Sequence, residues 1–304
     1  MRISDMMMTN GAVYRINQAS ARLFRVQEQA STGLRFTSPS QDPSGAVRAA
    51  SLRSSISEIE RYLENTDIAD ARLRLTEVSV AHIGDALREA RSIALSGMND
   101  GLDDTARKSL AEQVNQISQE ILRSGNAHDG ARYLFAGYKL LSPPLATNAA
   151  APPPVLYLGD RGETTLQTGR GMGVVSNVDA AELLNLGGAA DPALEDAFTT
   201  LSNLSAALAT GDHAAIDQAM RSLDAHFTRV TGIRGEIGAR LQRVTFDRSR
   251  LEETRDMCKT LLSETEGADL AEVISQLKQE EVAYQVAVAA SAMLGRASLL
   301  DYIR

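Results

Sequence analysis

The chain has no tryptophan, only 4% aromatic residues and a single cysteine in 304 residues. Each shortage removes a class of protein. One cysteine, Cys258, cannot close an intramolecular disulfide, so the framework does not depend on an oxidising compartment. No histidine lies near it in sequence to activate it, and it reads as a small helix residue. Few aromatics, with Ala, Leu, Ser, Arg and Glu abundant, favour long helices over a compact enzyme core. The four histidines, His82, His128, His213 and His226, stand far apart with no second ligand at metal spacing, so no metal is expected. No apolar run approaches the roughly 18 residues of a membrane span, and no membrane partner is expected. The net charge is -8, with bases scattered among acids. Without a clustered basic face to displace counterions from phosphate, no nucleic-acid partner is expected either.

Features that superficially suggest chemistry have plainer readings. Gly169-Arg170-Gly171-Met172-Gly173 is rich in glycine, but its flanks read as strands and no lysine follows as in a phosphate-cradling loop. A turn is expected. The paired acids Glu252-Glu253 and Glu280-Glu281 read as solvated helix faces. No catalytic residue and no cofactor are expected, and the chain reads as not an enzyme.

What the sequence does contain is organised apolar surface at both ends. From Met6, steps of three and four reach Thr9, Val13, Ile16, Ser20, Leu23, Gln27, Ala30 and Leu34, a coiled-coil-like seam. Leu270, Val273, Ile274, Leu277, Tyr284 and Val288 make a matching stripe, the run from Val282 to Gly295 carries no formal charge, and Leu299 and Leu300 follow near the end. A charge-free helix without a Lys/Arg-rich face or aromatic anchors suits helix–helix packing better than a lipid surface. Termini usually fray, so ends that keep apolar stripes want a partner. The residues expected to pack between subunits are Met6, Val13, Ile16, Leu23, Leu34, Leu270, Ile274, Leu277, Tyr284, Val288, Leu299 and Leu300.

Between the ends, turn-forming residues gather at Thr37 to Gly45, with Pro39, Asp42, Pro43 and Gly45 as the expected hinge. Asp42 can cap the next helix and Pro43 suits its first position. A helix of about 50 residues then carries Val47, Leu52, Ile56, Ile59, Leu63, Leu73, Val80, Ile83 and Leu87 at helical spacing to Gly97. A second helix is expected over Leu102–Leu122. The aromatic stretch 131–138 predicts a strand or hairpin. Val155–Leu158 reads as a strand, with Thr164–Gln167 as its mate across Gly159–Gly162. A helix from Leu194 breaks at Gly211-Asp212, and a last long helix carries Ile233, Ile237, Leu241, Val244 and Leu251 to Gly267, where Asp269 can cap a terminal helix. The expected fold is mainly α: a nested rod of long antiparallel helices, with N- and C-terminal coiled-coil helices and a small inserted mixed α/β domain. Its expected parts are residues 1–36, 37–142 with the hinge at 37–45, an inserted domain at 143–228, a rod helix at 229–266, and a terminal helix at 267–304.

Several motifs resemble the flagellin superfamily of axial flagellar proteins. Gln29-Ala30-Ser31-Thr32-Gly33-Leu34-Arg35 leading to Pro39-Ser40-Gln41-Asp42-Pro43-Ser44-Gly45-Ala46 is similar to its Q-x-S-S-G-x-R … P-S-D-D-P-x-G-A pattern, with Thr32 and Gln41 as departures. Gly130–Gly137, Arg234–Leu241 and Asp269–Glu272 also match. Within the superfamily, Tyr133-Leu134-Phe135-Ala136-Gly137 and the Ser298-Leu299-Leu300-Asp301-Tyr302 ending look like the branch that joins hook to filament rather than flagellin itself, although the terminal Arg304 points the other way. The resemblance implies an extracellular structural adaptor that assembles in a ring, touches a hook-proximal junction protein and flagellin, and templates flagellin polymerisation. It also implies export through the flagellar type III channel, with a cytosolic chaperone on the C-terminal helix. Met1–Asp5 runs into polar Thr9-Asn10-Gly11 without an apolar core, consistent with export that reads no cleaved signal. A filament flagellin is the alternative.

Overall fold

The computed structural model describes residues 2–148 and 153–302, with side chains for residues 7, 10–148 and 153–293. Seven α-helices and four short strands follow one another in these residues: α1 (Arg2–Thr32), α2 (Pro43–Gly97), α3 (Asp104–Gly125), β1 (Leu145–Thr147), β2 (Val155–Tyr157), β3 (Thr165–Gly169), β4 (Met172–Val175), α4 (Ala180–Leu183), α5 (Ala197–Thr210), α6 (His213–Glu266) and α7 (Leu270–Tyr302). The chain forms two compact units, residues 1–58 with 254–304, and residues 59–253.

In the 59–253 unit, apolar residues at alternating steps of three and four turn one face of α2 inward: Leu73, Val80, Ile83 and Leu87 are fully or almost fully buried. Val114, Ile117 and Ile121 of α3, Leu201, Leu204 and Leu208 of α5, and Ile216, Leu223, Val230 and Ile237 of α6 complete this core. Helices α2 and α6 run antiparallel here, with ion pairs Asp67–Arg248 at 3.1 Å, Glu77–Arg234 at 2.6 Å and Asp224–Arg91 at 2.5 Å along their length. Three polar residues on the inner side of α2, Thr66, Thr76 and Ser79, are buried. Each hydroxyl donates to the carbonyl four residues earlier, so none is left unsatisfied.

Most helical expectations hold within a few residues, and the strands expected at Val155–Leu158 and Thr164–Gln167 are present, but they do not pair with each other. Val155–Tyr157 pairs antiparallel with Leu145–Thr147, not with the following segment, while Thr165–Gly169 pairs with Met172–Val175. The reason lies in Asp160. Its Oδ1 accepts from the backbone N–H of Tyr138 at 2.7 Å and of Gly162 at 3.0 Å, which turns Gly159–Gly162 back against the 131–138 segment instead of into a hairpin. The expected turn is present at Arg170-Gly171 between β3 and β4, with a bulge at Gln167–Gly169 before it.

Residues 131–138 form no strand. They make a turn-rich loop with an isolated bridge between His128 and Tyr133, and Leu134, Phe135 and Ala136 drop into the core. Gly137 ends the loop at φ +67°, where a side chain would collide with the Asp160 carbonyl. At the α5–α6 junction Gly211 adopts φ +73° and Asp212 caps α6 through the Ala214 and Ala215 amides. From there α6 passes residues 228 and 229 without a break, so the boundary expected there has no counterpart in the backbone.

Candidate functional site

The unit made of residues 1–58 and 254–304 holds both chain ends. Helices α1 and α7 pack antiparallel against each other. On α1 the covered line is Ala12, Ile16, Ala19, Leu23, Val26 and Ala30, and on α7 it is Val273, Leu277, Glu280, Tyr284, Ala287 and Ser291. Both lines step by four and three, the repeat of a coiled-coil seam. Ala12, Ala19, Val26 and Val273 are buried. Five of these twelve residues, Ala12, Ala19, Ala30, Ala287 and Ser291, are small, which lets the helix axes approach closely. Arg22 crosses it, with Nε donating to both carboxylate oxygens of Glu280 at 3.2 and 3.1 Å. Glu280 therefore sits on the seam, a correction to its reading as part of a solvated face. Because a carboxylate prefers water, the flanking guanidinium is what makes the position tolerable.

The seam differs from the expected line by one residue at alternate steps. Ile16, Leu23, Leu277 and Tyr284 lie in it, half-buried. Val13 is 51% exposed, Leu270 52%, Ile274 50% and Val288 41%, all outside it. Met6, Leu299 and Leu300 fall outside the residues with described side chains. Ala12, Ala19 and Val26 were missed because Val13, Ser20 and Gln27 satisfy the same three-or-four step from Ile16 and Leu23; the seven-residue interval of the three was the available signal. The pairing leaves a second set of large apolar side chains uncovered: Met7, Tyr14 and Phe24 on α1, and Val282, Val286 and Met293 on α7 are each more than half exposed.

Below the seam the backbone closes a clasp. Gly33 leaves α1 at φ +68°, a conformation that suits glycine. The amide of Arg35 then donates to the Glu266 carbonyl at 2.6 Å, and Ala268 donates back to Gly33 at 2.9 Å. Glu266 itself is buried and takes Arg53 Nη2 at 2.8 Å. Asp269 caps α7 by accepting from the Ala271 amide at 2.9 Å.

The hinge residues meet around Asp42, which caps α2. Its Oδ1 accepts from the Gly45 amide and the Ser44 hydroxyl, each at 2.9 Å, and its Oδ2 takes Arg35 Nη2 at 2.9 Å. Pro43 occupies the first helical position, where its missing N–H costs nothing. Gly45 is buried, and a Cβ there would press on the Phe36 ring at 2.8 Å. Pro39 is exposed in the turn.

The Gly45 amide, then the Ser44 hydroxyl and Arg35, hold the Asp42 carboxyl below its ordinary 3.8. The folded hinge therefore favours the ionised acid. Its contribution is full above the ordinary value and is lost as pH falls through the lower folded one. Asp42→Asn is expected to remove this acid dependence while keeping a cap, and hydrogen exchange of the Gly45 and Ala46 amides between about pH 5 and pH 2 is the readout. Equal acid sensitivity in wild type and variant would contradict it.

Among the described residues no group of three or more His, Cys, Asp or Glu could hold a metal, and no helix is long and apolar enough to cross a membrane. The chemistry of the site is surface burial between helices.

Comparison with known proteins gives two matches, one on either side of residues 141–214. Residues 3–140 match the bacterial flagellin N-terminal helical region, and residues 215–303 match the bacterial flagellin C-terminal helical region. Flagellar hook-associated protein 3 of Salmonella typhimurium is 28% identical over 263 residues, covering 81% of this chain and 81% of that protein. Flagellin of Clostridium tyrobutyricum is 25% identical over 126 residues, covering 41% of this chain and 33% of its own. A solved structure of a hook-associated protein from Vibrio parahaemolyticus shares the fold, with a TM-score of 0.66 at 22% identity over 75% of this chain and all of that one.

Proposed function

The chain belongs to the flagellin superfamily, among its flagellar hook-associated proteins, and from that membership we propose that it is a structural adaptor joining hook to filament and templating flagellin polymerisation. The observation that carries the reading is the α1–α7 pair, which completes one seam internally and still leaves Tyr14, Phe24, Val282 and Val286 exposed. At about 25 cal/mol per Å2, burying a few such side chains per subunit supplies several kcal/mol that only assembly can release. The expected partners are copies of the chain in a ring, a hook-proximal junction protein on one side and flagellin on the other. The packing residues named above, exposed and half-buried alike, are assigned to these contacts, and the segment from Pro39 to Gly45 to the joint between the inner helices and the rest.

Export through the flagellar type III channel, with a chaperone on the C-terminal helix, goes with this role. A single cysteine and cores built largely from helices suit a chain that crosses a narrow channel unfolded and refolds outside. The reading as filament flagellin is weaker, because the flagellin match stops short of half the chain whereas the hook-associated match covers four fifths. Deleting the gene is expected to leave hooks without filaments and flagellin shed into the medium, as seen by electron microscopy and by blotting the culture supernatant. Filaments of normal number and length on the deletion strain would refute the junction role.

A further inference from the structure

One face of the 59–253 unit stays apolar and uncovered. On α2, Ile68, Leu75 and Val78 are 43%, 45% and 50% exposed. Ala71, between them, is exposed too. Steps of three, four and three set these four on one face, away from the core row of Ala69, Leu73 and Val80. A solvated helix face is ordinarily polar, so a ridge of this kind wants a cover.

Helix α6 carries a surface of the opposite relief. Gly232, Gly235 and Gly238 lie inside the helix, and a Cβ added at any of them meets no atom within 4 Å. Glycine is the poorest helix former after proline, and neither crowding within the unit nor a positive φ calls for it at these positions. The missing side chains lower this face into a shallow groove. Phe246, 68% exposed, continues it two turns on. At 1.5 Å per residue, Ile68 to Val78 spans about 15 Å and Gly232 to Phe246 about 21 Å, so the ridge fits the groove in length. Charge agrees: exposed Glu64 lies a turn before Ile68, and exposed Arg243 a turn before Phe246.

We propose that the Ile68–Val78 ridge of α2 docks on the Gly232–Phe246 face of α6 in a second copy of this chain. The inference rests on the junction role, where copies must touch one another, and adds which faces meet. Because the two faces differ, the contact is heterologous: each copy offers α2 to one neighbour and α6 to the other, the arrangement that can close into a ring. An isologous contact would stop at two copies. The ridge is small beside the roughly 800 Å2 per partner of a standard interface, so it supplements the α1–α7 surface.

Single native cysteine makes the test direct. In a Cys258→Ser background, Leu75→Cys with Gly235→Cys is expected to give, on mild oxidation of isolated hook–filament joints, a ladder of species beyond the dimer, while either substitution alone gives none. A product ending at the dimer, equal cross-linking by a single variant, or no product from joints that contain the chain would overturn the docking and leave the junction role standing. Absence of the chain from the joints would overturn both. Gly235→Leu is a second arm: the purified variant keeps or raises its thermal midpoint, while filament-bearing cells fall at least tenfold. Unchanged filament number in that variant would also overturn the docking.

Discussion

Replacing Phe135 with Ala lowers the stability of the 59–253 unit by about 3–5 kcal/mol, measured as a drop in the urea midpoint without a change in slope. Phe135 is fully buried in the core that α2, α3, α5 and α6 share. It enters that core from a loop, so its neighbours belong to separate elements and cannot close in on the space it leaves. The loop is itself pinned. Tyr157 Oη donates to the Asp160 carbonyl at 2.6 Å and reaches the Phe135 carbonyl at 3.3 Å, and the Leu134 amide donates to Ala127 at 3.0 Å. With the backbone held, the cavity persists and its cost is added to the lost transfer energy. Leu141→Ala is the control: at 84% exposed it is expected to change stability by no more than about 0.5 kcal/mol. A Phe135→Ala cost below about 1 kcal/mol would mean that the loop collapses into the space.

The helices were legible because their signal is long. Over α2, inward residues recur for more than ten turns, and Asp42-Pro43 marks the start with a cap and a rigid first residue. The positions of β2 and β3 were legible, but β1 and the pairing were not, because alternation over three positions specifies no partner. Pairing there is decided by Asn126, whose side chain both donates to the Leu145 carbonyl and accepts its amide, and by the Asp160 turn. These are tertiary contacts, and no local pattern announces them. The same holds for the 131–138 segment. Its aromatic content read as strand, yet the buried positions come from a loop whose shape depends on Gly137 facing Asp160.

At the chain ends the spacing was legible and the phase was not. Two apolar lines coexist on each terminal helix, one closed within the unit and one open. The sequence reading merged them, because Val13 and Ala12 both satisfy a three-or-four step from Ile16. The choice between them is made by α7, whose Glu280 on the seam is met by Arg22 of α1. A partner helix sets the phase, and the merged line left that partner out.

Acidification from about pH 6.5 to pH 4 is expected to destabilise the 59–253 unit by about 3 kcal/mol through one group, His226. Its side chain is buried, with Nε2 3.4 Å from Thr200 Oγ1 and Nδ1 without a partner within the unit. Burial first, and then the positive charge of Arg229 on the same helix, push its pKa down from 6.5 to about 4; Asp196 and the Glu195 backbone, both just before α5, oppose this only in part. The unfolded chain protonates at the ordinary value and the folded chain does not, so the unfolded state binds the extra proton. Stability is therefore full above pH 6.5, falls as pH drops toward 4, and levels off below that, where both states are charged. Ordinary carboxylates stay largely ionised between pH 6.5 and about pH 5, and in that part of the window the imidazole acts almost alone. His226→Gln keeps a polar side chain beside Thr200 without an ionisable ring, and its urea midpoint is expected to stay flat from pH 6.5 to pH 5 while that of the wild type declines. Parallel declines in the two proteins would show that some other group carries the acid sensitivity.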